Sequence, residues 1–273
     1  MTDRVRDLER ISQALEAADE VLRRFESGRI AASHKLNHDP VTEADLACDR
    51  ALREVLLDSD EGWLSEETVD SRDRLNKRRV WVVDPLDGTK EFVAGIPEWC
   101  VSVGLVEDGV PVAGGILNPA AGFTALGAEG MGCTLNGALV AHASTTGLDQ
   151  ANVLASRTEV DRGQWHHWGP APFSVQPMGS VAYKMARVAC GLADATWTLV
   201  PKHEWDVAAG TALVLAAGGM VSLPDHQPPK FNQPSAWLPG LIAVGPGRVS
   251  WFDLAGIVEG SLGSTGNRAT VQF

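Results

Sequence analysis

Six acidic residues of the chain stand where one element gives way to the next: Asp45, Glu66, Glu67, Asp84, Asp87 and Asp206. The densest stretch is WVVDPLDGTKEF, residues 81–92, where an apolar run from Val80 to Val83 leads straight into two aspartates separated by Pro85 and Leu86. Hard divalent cations take oxygen ligands, and Mg²⁺ combines a few carboxylates with several waters. A strand ending in D-P-L-D can present Asp84 and Asp87 around one point, with the Leu86 carbonyl between them. Pro85 stiffens the turn and removes a donor that would repel a cation. Gly88 and Thr89 then open a short helix, whose first N–H groups favour an anion. A cation site beside an anion site is what hydrolysis of a phosphate ester needs.

Each acid also has a plainer reading. Asp45 lies three residues after Thr42 and can complete a capping box. Glu66-Glu67 can be a solvated acidic turn, and Asp206 an ordinary acid in the first turn of a helix. The D-P-x-D-G-T run is harder to explain as a turn, which needs one Asp and a Gly, not a second Asp at the end of a buried strand. Other candidates are weaker. His34 and His38 are spaced like a metal pair but sit in a loop beside a proline, and His166-His167 reads as surface loop. Neither a G-x-x-x-x-G-K-[ST] loop nor a G-x-S-x-G elbow is present.

The elements that must position these acids are legible in outline. Val5, Leu8, Ile11, Leu15, Ala18, Leu22 and Phe25 recur at helical steps and end near Gly28. Thr42 reads as the N-cap of a helix carrying Leu46, Leu52, Val55 and Leu56. An acidic turn, WLSEETVDS, and a basic patch, KRR, precede the strand of residues 80–83. Val101–Leu105 and Val110–Ile116 alternate about Asp108-Gly109 as a hairpin. Further strands are expected at Phe123–Leu126 and Cys133–Leu135, with a turn at Asn136-Gly137. From about Ala151 the pattern becomes α/β. Strands are expected at Asn152–Ala155, Ala195–Leu199, Val221–Leu223 and Leu241–Val244, and helices from Ser180 to Gly191 and from Asp206 to about Ala217. The expected division is an α+β lobe over 1–150, carrying most of the acids, and an α/β lobe over 151–273 that closes the site. The Gly/Ser-rich tail after Glu259 is expected to be loosely held.

Composition narrows the function. A formal net charge of −12 argues against a nucleic-acid polymer as partner, since neutralising phosphates needs a basic surface. The charged start, MTDRVRDLERIS, has no apolar signal-peptide core, and no apolar run approaches a membrane span. Cys48, Cys100, Cys133 and Cys190 are widely spaced and read as isolated thiols of a reducing compartment, so the expected location is the cytoplasm. Nine tryptophans against one tyrosine are expected mostly in the core, with Trp63, Trp99 or Trp165 able to border a ligand base.

The ordered set T-E-A-D (42–45), E-E (66–67), D-P-L-D-G-T (84–89), G-S (179–180), W-D (205–206) and G-G (218–219) resembles the lithium-sensitive, Mg²⁺-dependent phosphomonoesterase superfamily of inositol monophosphatases. The likeness runs from roughly residue 35 to 245. It implies a layered αβαβα fold in two lobes, mixed α+β and α/β, acting on a small phosphate monoester as monomer or homodimer. It implies two or three Mg²⁺ ions: Glu66, Asp84 and the Leu86 carbonyl on the first, Asp84, Asp87 and Asp206 on the second, and Glu67 supporting a water or a further ion. Thr89, hydrogen-bonded to Asp45, would orient the attacking water and help deprotonate it, while the Gly88 and Thr89 amides hold the phosphate.

Within the superfamily, D-G-T-K-E-F and the lysine of G-S-V-A-Y-K resemble the 3′(2′),5′-bisphosphate nucleotidases. A substrate with two phosphates needs cations away from the metals, and Lys90, Lys184, Arg157 and Lys202 are available, with Ser180 beside them. Thr198 departs from the arginine often found there in that branch, and Leu199 replaces the acid expected to contact inositol hydroxyls. The substrate implied is 3′-phosphoadenosine 5′-phosphate, cleaved to AMP, with inositol, histidinol or fructose phosphates as the alternatives. A metal- or nucleotide-binding regulator without activity is the reading from a different class.

Overall fold

The structure, a computed structural model, describes residues 3–34, 40–141, 148–165 and 172–247. His38, His166-His167 and the tail after Glu259 lie outside the described residues, as does the His34 side chain. Helix α1 (Asp3–Leu22) leads through the small pair β1 (Ser33–His34) and β2 (Pro40–Val41) to α2 (Glu43–Leu56). There follow β3 (Gly62–Ser65), β4 (Arg79–Asp87), α3 (Thr89–Ala94), β5 (Cys100–Glu107), β6 (Val110–Asn118), β7 (Phe123–Ala128), β8 (Gly132–Leu135) and β9 (Ala138–Leu139). The second half contains β10 (Asn152–Ser156), α4 (Arg157–Asp161), β11 (Ser174–Met178), α5 (Val181–Ala189), β12 (Ala195–Thr198), β13 (Lys202–His203), α6 (Glu204–Ala216), β14 (Met220–Ser222), β15 (Trp237–Leu238) and β16 (Leu241–Val244).

Strands β3 to β9 form one sheet in sequence order, antiparallel except for the parallel β3–β4 pair. A second sheet has the order β11-β10-β12-β16-β14. The apolar stripe of α1, with Leu52 and Leu56 of α2, packs on one face of the first sheet against Trp81, Val83, Val103 and Leu105. Helices α5 and α6 fill the space between the sheets. On the far face of the second sheet Trp165 stacks on Trp197, ring centroids 5.0 Å apart, beside Phe173. This is the layered α/β arrangement the sequence led us to expect.

Helix α6 is apolar on nearly every side, as a helix between two sheets must be. It presses so closely on the first sheet that a Cβ built on Gly114 would lie 2.6 Å from the Ala209 carbonyl oxygen. That approach brings Asp206, in the first turn of α6, within electrostatic reach of Asp84 and Asp87 at the end of β4. Capping fixes the other helices. Thr42 caps α2, and Ser180, at a left-handed φ of 52°, accepts the Tyr183 N–H at the start of α5.

The first residues of the expected acidic turn, 63–65, belong to strand β3, and Ser174–Met178, where no element was expected, is a strand as well. Strand β4 ends in D-P-L-D as expected, reaching Asp87 through a register shift between Asp84 and Asp87. The four cysteines are buried and free, as expected.

Candidate active site

The irregular end of β4 is the floor of a cavity of about 260 Å³. Glu66, Asp84, Leu86, Asp87, Gly88, Thr89, Lys90, Ser180, Lys184 and Asp206 all line it. Asp45 and Glu67 do not: Asp45 is buried behind Thr89, and Glu67 follows Glu66 in the turn after β3. Gly88 caps α3 at φ 98°, and a Cβ there would lie 2.9 Å from the Glu98 carbonyl oxygen, so no other residue fits this turn without strain.

Each aspartate of the set has one oxygen fixed by a hydrogen bond. Asp84 Oδ1 accepts the Leu86 N–H at 2.9 Å, and Asp206 Oδ2 accepts the His203 N–H at 2.9 Å. Asp87 Oδ2 accepts the Ser180 hydroxyl and the Ala182 N–H, both at 2.7 Å. Thr89 Oγ1 lies 3.0 Å from both Asp45 Oδ1 and the Leu86 carbonyl oxygen. Asp45 also completes the capping box of α2, its Oδ2 accepting the Thr42 N–H at 2.9 Å.

Among the described residues no three acidic, histidine or cysteine groups converge tightly enough to enclose an ion as they stand. The acids line the cavity and repel one another. Burial, then the charges of Glu66, Asp87 and Asp206, push the Asp84 carboxyl well above the usual carboxylate range. Burial, then Asp87 and Glu66, do the same to Asp206. Oxygen donors that resist joint ionisation until a positive charge stands among them fit a hard divalent cation.

Lys90, Arg157, Lys184 and Lys202 line the same cavity, with Glu91 and neutral residues among them. Lys184 is buried, and its Nζ donates to the carbonyls of Ser180, Met178 and Gly179 at 3.0, 3.3 and 3.5 Å. Burial lowers its pKa to about 8 despite the nearby Asp87. It is thus neither a solvated helix residue nor a lysine with donors to spare, but a fixed charge. Arg157 Nη2 donates to both Glu98 oxygens, at 2.7 and 2.6 Å, and Gly179 N–H donates to Glu98 Oε2 at 2.7 Å. Lys202 lines the cavity beside Thr198, whose hydroxyl donates to the buried Glu159 at 2.5 Å. Among the described residues no tryptophan lines this cavity, so Trp63, Trp99 and Trp165 do not border it. Sequence reading missed Asp49, Glu98 and Glu159, of which only Asp49, four residues after Asp45 on α2, left a trace in the helical spacing.

A family model described as the inositol monophosphatase family matches residues 3–250 of the chain. Inositol monophosphatase 2 of Solanum lycopersicum is 35% identical over 234 residues, covering 77% of this chain and 84% of its own. Among solved structures, inositol monophosphatase from Anabaena (Nostoc) is similar with a TM-score of 0.74 at 26% identity, over 96% of this chain and 97% of its own. CysQ from Bacteroides thetaiotaomicron, described as a bacterial member of the same family, is similar with a TM-score of 0.71 at 26% identity, over 88% of this chain and 97% of its own.

Proposed function

The chain belongs to the inositol monophosphatase family, whose members are metal-dependent phosphatases, and from that premise we propose that it is a Mg²⁺-dependent phosphomonoesterase cleaving 3′-phosphoadenosine 5′-phosphate to AMP and phosphate. The observation that carries this reading is one cavity lined both by Glu66, Asp84, Asp87, Asp206 and Thr89 and by Lys90, Arg157, Lys184 and Lys202. In this reading Glu66, Asp84, Asp87, Asp206 and the Leu86 carbonyl hold two Mg²⁺ ions, and Glu67 supports a third or a water. When bound, the ions supply positive charge for the phosphoryl oxygens and lower the pKa of water.

The chain's own groups do the rest. Thr89 orients the attacking water, and Asp45, already accepting the Thr89 hydroxyl, takes up the proton. The Gly88 and Thr89 N–H groups face the phosphate oxygens. Ser180 holds Asp87 in place and borders the sugar. Lys184 acts through its charge, because its hydrogens are committed to carbonyls, and Lys90 and Lys202 receive the phosphate that is not cleaved.

A second reading, hydrolysis of inositol 1-phosphate, is favoured by the relative from Solanum lycopersicum, which is named an inositol monophosphatase. Phosphate release from the two substrates, with Mg²⁺ and with EDTA, tests both. Release that survives EDTA removes the metal-dependent reading, and a higher kcat/KM for inositol 1-phosphate replaces the first substrate by the second.

A further inference from the structure

We propose that Asp49 is a positioning residue for the Glu66–Glu67 turn, a carboxylate outside the ligand set that sets the affinity of the site for its divalent cation. The inference rests on the metal-site reading above. Asp45 and Asp49 lie one turn apart on the same side of α2. Asp45 serves Thr89. Asp49, only 7% exposed, serves the turn: Ser65 Oγ donates to its Oδ1 at 2.5 Å, and Thr68 Oγ1 donates to its Oδ2 at 2.7 Å. Ser65 Oγ in turn accepts the Glu67 N–H at 3.3 Å.

One carboxylate therefore grips the chain immediately before and immediately after Glu66-Glu67. On the sheet side, the Glu66 N–H donates to the Val83 carbonyl at 3.3 Å, beside Asp84. The glutamates are held against β4 from one side and against α2 from the other. A staple through one hydroxyl needs one acceptor, which a neutral amide supplies; here both oxygens of a carboxylate accept. A buried carboxylate costs more than an amide. Held beside Glu66-Glu67 through Ser65 and Thr68, its negative charge attracts a cation that arrives at the turn, which an amide does not. That difference makes Asp49 a part of the metal site rather than a turn staple alone.

Mg²⁺ binding to the metal-free chain, followed by calorimetric titration without substrate, tests this. Asp49→Ala is expected to weaken Mg²⁺ binding by roughly ten- to a hundredfold, the range for a partner that orients a metal ligand. Asp49→Asn, which keeps an acceptor but no charge, falls between it and wild type. Thr68→Val, which removes one of the two grips at a half-buried position, is expected to weaken binding in the same direction. Unchanged Mg²⁺ affinity in Asp49→Ala, with only a lower melting temperature, overturns the proposal. Should Asp49→Ala fail to fold, Thr68→Val decides in the same way. A wild-type chain that binds no Mg²⁺ overturns the metal site itself, and this inference with it.

Discussion

The hydroxyl of Thr89 lies 3.0 Å from Oδ1 of Asp45, while Oδ2 of the same carboxylate closes the N-terminal cap of α2 through Thr42. Capping acid and partner of Thr89 are therefore not rival descriptions of Asp45. A carboxylate has four lone-pair sites, and the two oxygens face different neighbours. The cap holds α2 in register with the start of α3, and the Thr89 hydroxyl is aimed by that register.

Thr89→Ala is expected to lower kcat by roughly 10²–10⁴-fold, the range for loss of a positioned proton-transfer group. Mg²⁺ affinity stays near that of wild type, because Thr89 is outside the proposed ligand set. Asp45→Asn separates its two duties, since the amide oxygen can still accept the Thr42 N–H of the capping box. It is expected to keep the melting temperature and lose most of kcat. An Asp45→Asn enzyme with wild-type kcat would leave Asp45 a cap only.

Asp87→Asn is expected to lower kcat by orders of magnitude and to weaken Mg²⁺ binding. Folding survives, because the amide oxygen can still accept from Ser180 and Ala182 and one charge leaves a mutually repelling set. The metal-free variant should melt no lower than wild type. A clear drop in that melting temperature, measured in EDTA, contradicts the repulsion argument.

Away from the site, Glu61 provides a pH test of the fold. Burial raises its pKa, but hydrogen bonds from Arg10 and Trp81 and the charge of Arg10, helped by Arg79, outweigh it and leave the pKa lowered. A folded pKa below the unfolded value of about 4.3 means this group's contribution is complete above that pH. It is lost as pH falls through the depressed folded value. Glu61→Gln is expected to cost about 1–3 kcal/mol at pH 7. The gap in urea midpoint from wild type should narrow on acidification below pH ~4. A gap that stays constant or widens would assign the loss to packing.

Much of this was legible in the sequence, for identifiable reasons. The α2 cap, the 100–118 hairpin and Leu241–Val244 carry their pattern within themselves, and the structure reproduces them. Strand β3 does not: it is four residues long and lies at the sheet edge, and its parallel pairing with β4 is supplied by a neighbour outside its own sequence. Strand β11 carries Pro177, which its edge position tolerates but its pattern conceals. Helix α6 starts at Glu204 rather than Asp206, because the cap is His203. The acids of the site were legible because carboxylates at the ends of apolar elements have few structural uses. Glu98 was not, because its work is done on Arg157 and Gly179, 59 and 81 residues away.

The last expectation concerns the substrate. 3′-Phosphoadenosine 5′-phosphate is expected to show a higher kcat/KM than inositol 1-phosphate, since only the bisphosphate offers a second anion to the basic residues of the cavity. Two of the lysines that line it, Lys184 and Lys202, differ in kind. Lys202 lines the cavity, and no carbonyl cage like that of Lys184 surrounds its ammonium among the described residues. Lys202→Ala is expected to raise KM for the bisphosphate about tenfold, the loss of one charge-assisted hydrogen bond of roughly 1.5–3 kcal/mol, and barely to change KM for the monophosphate. Lys184 instead ties together the carbonyls of residues 178–180, beside the Ser180 hydroxyl that holds Asp87. Lys184→Ala is therefore expected to weaken catalysis on both substrates and to lower the melting temperature. Steady-state kinetics on the two esters, with thermal melts of both variants, decide between these roles. Equal effects of Lys202→Ala on both substrates would remove the second-anion reading. A bisphosphate-selective KM effect of Lys184→Ala, with an unchanged melting temperature, would transfer the second-anion role to Lys184.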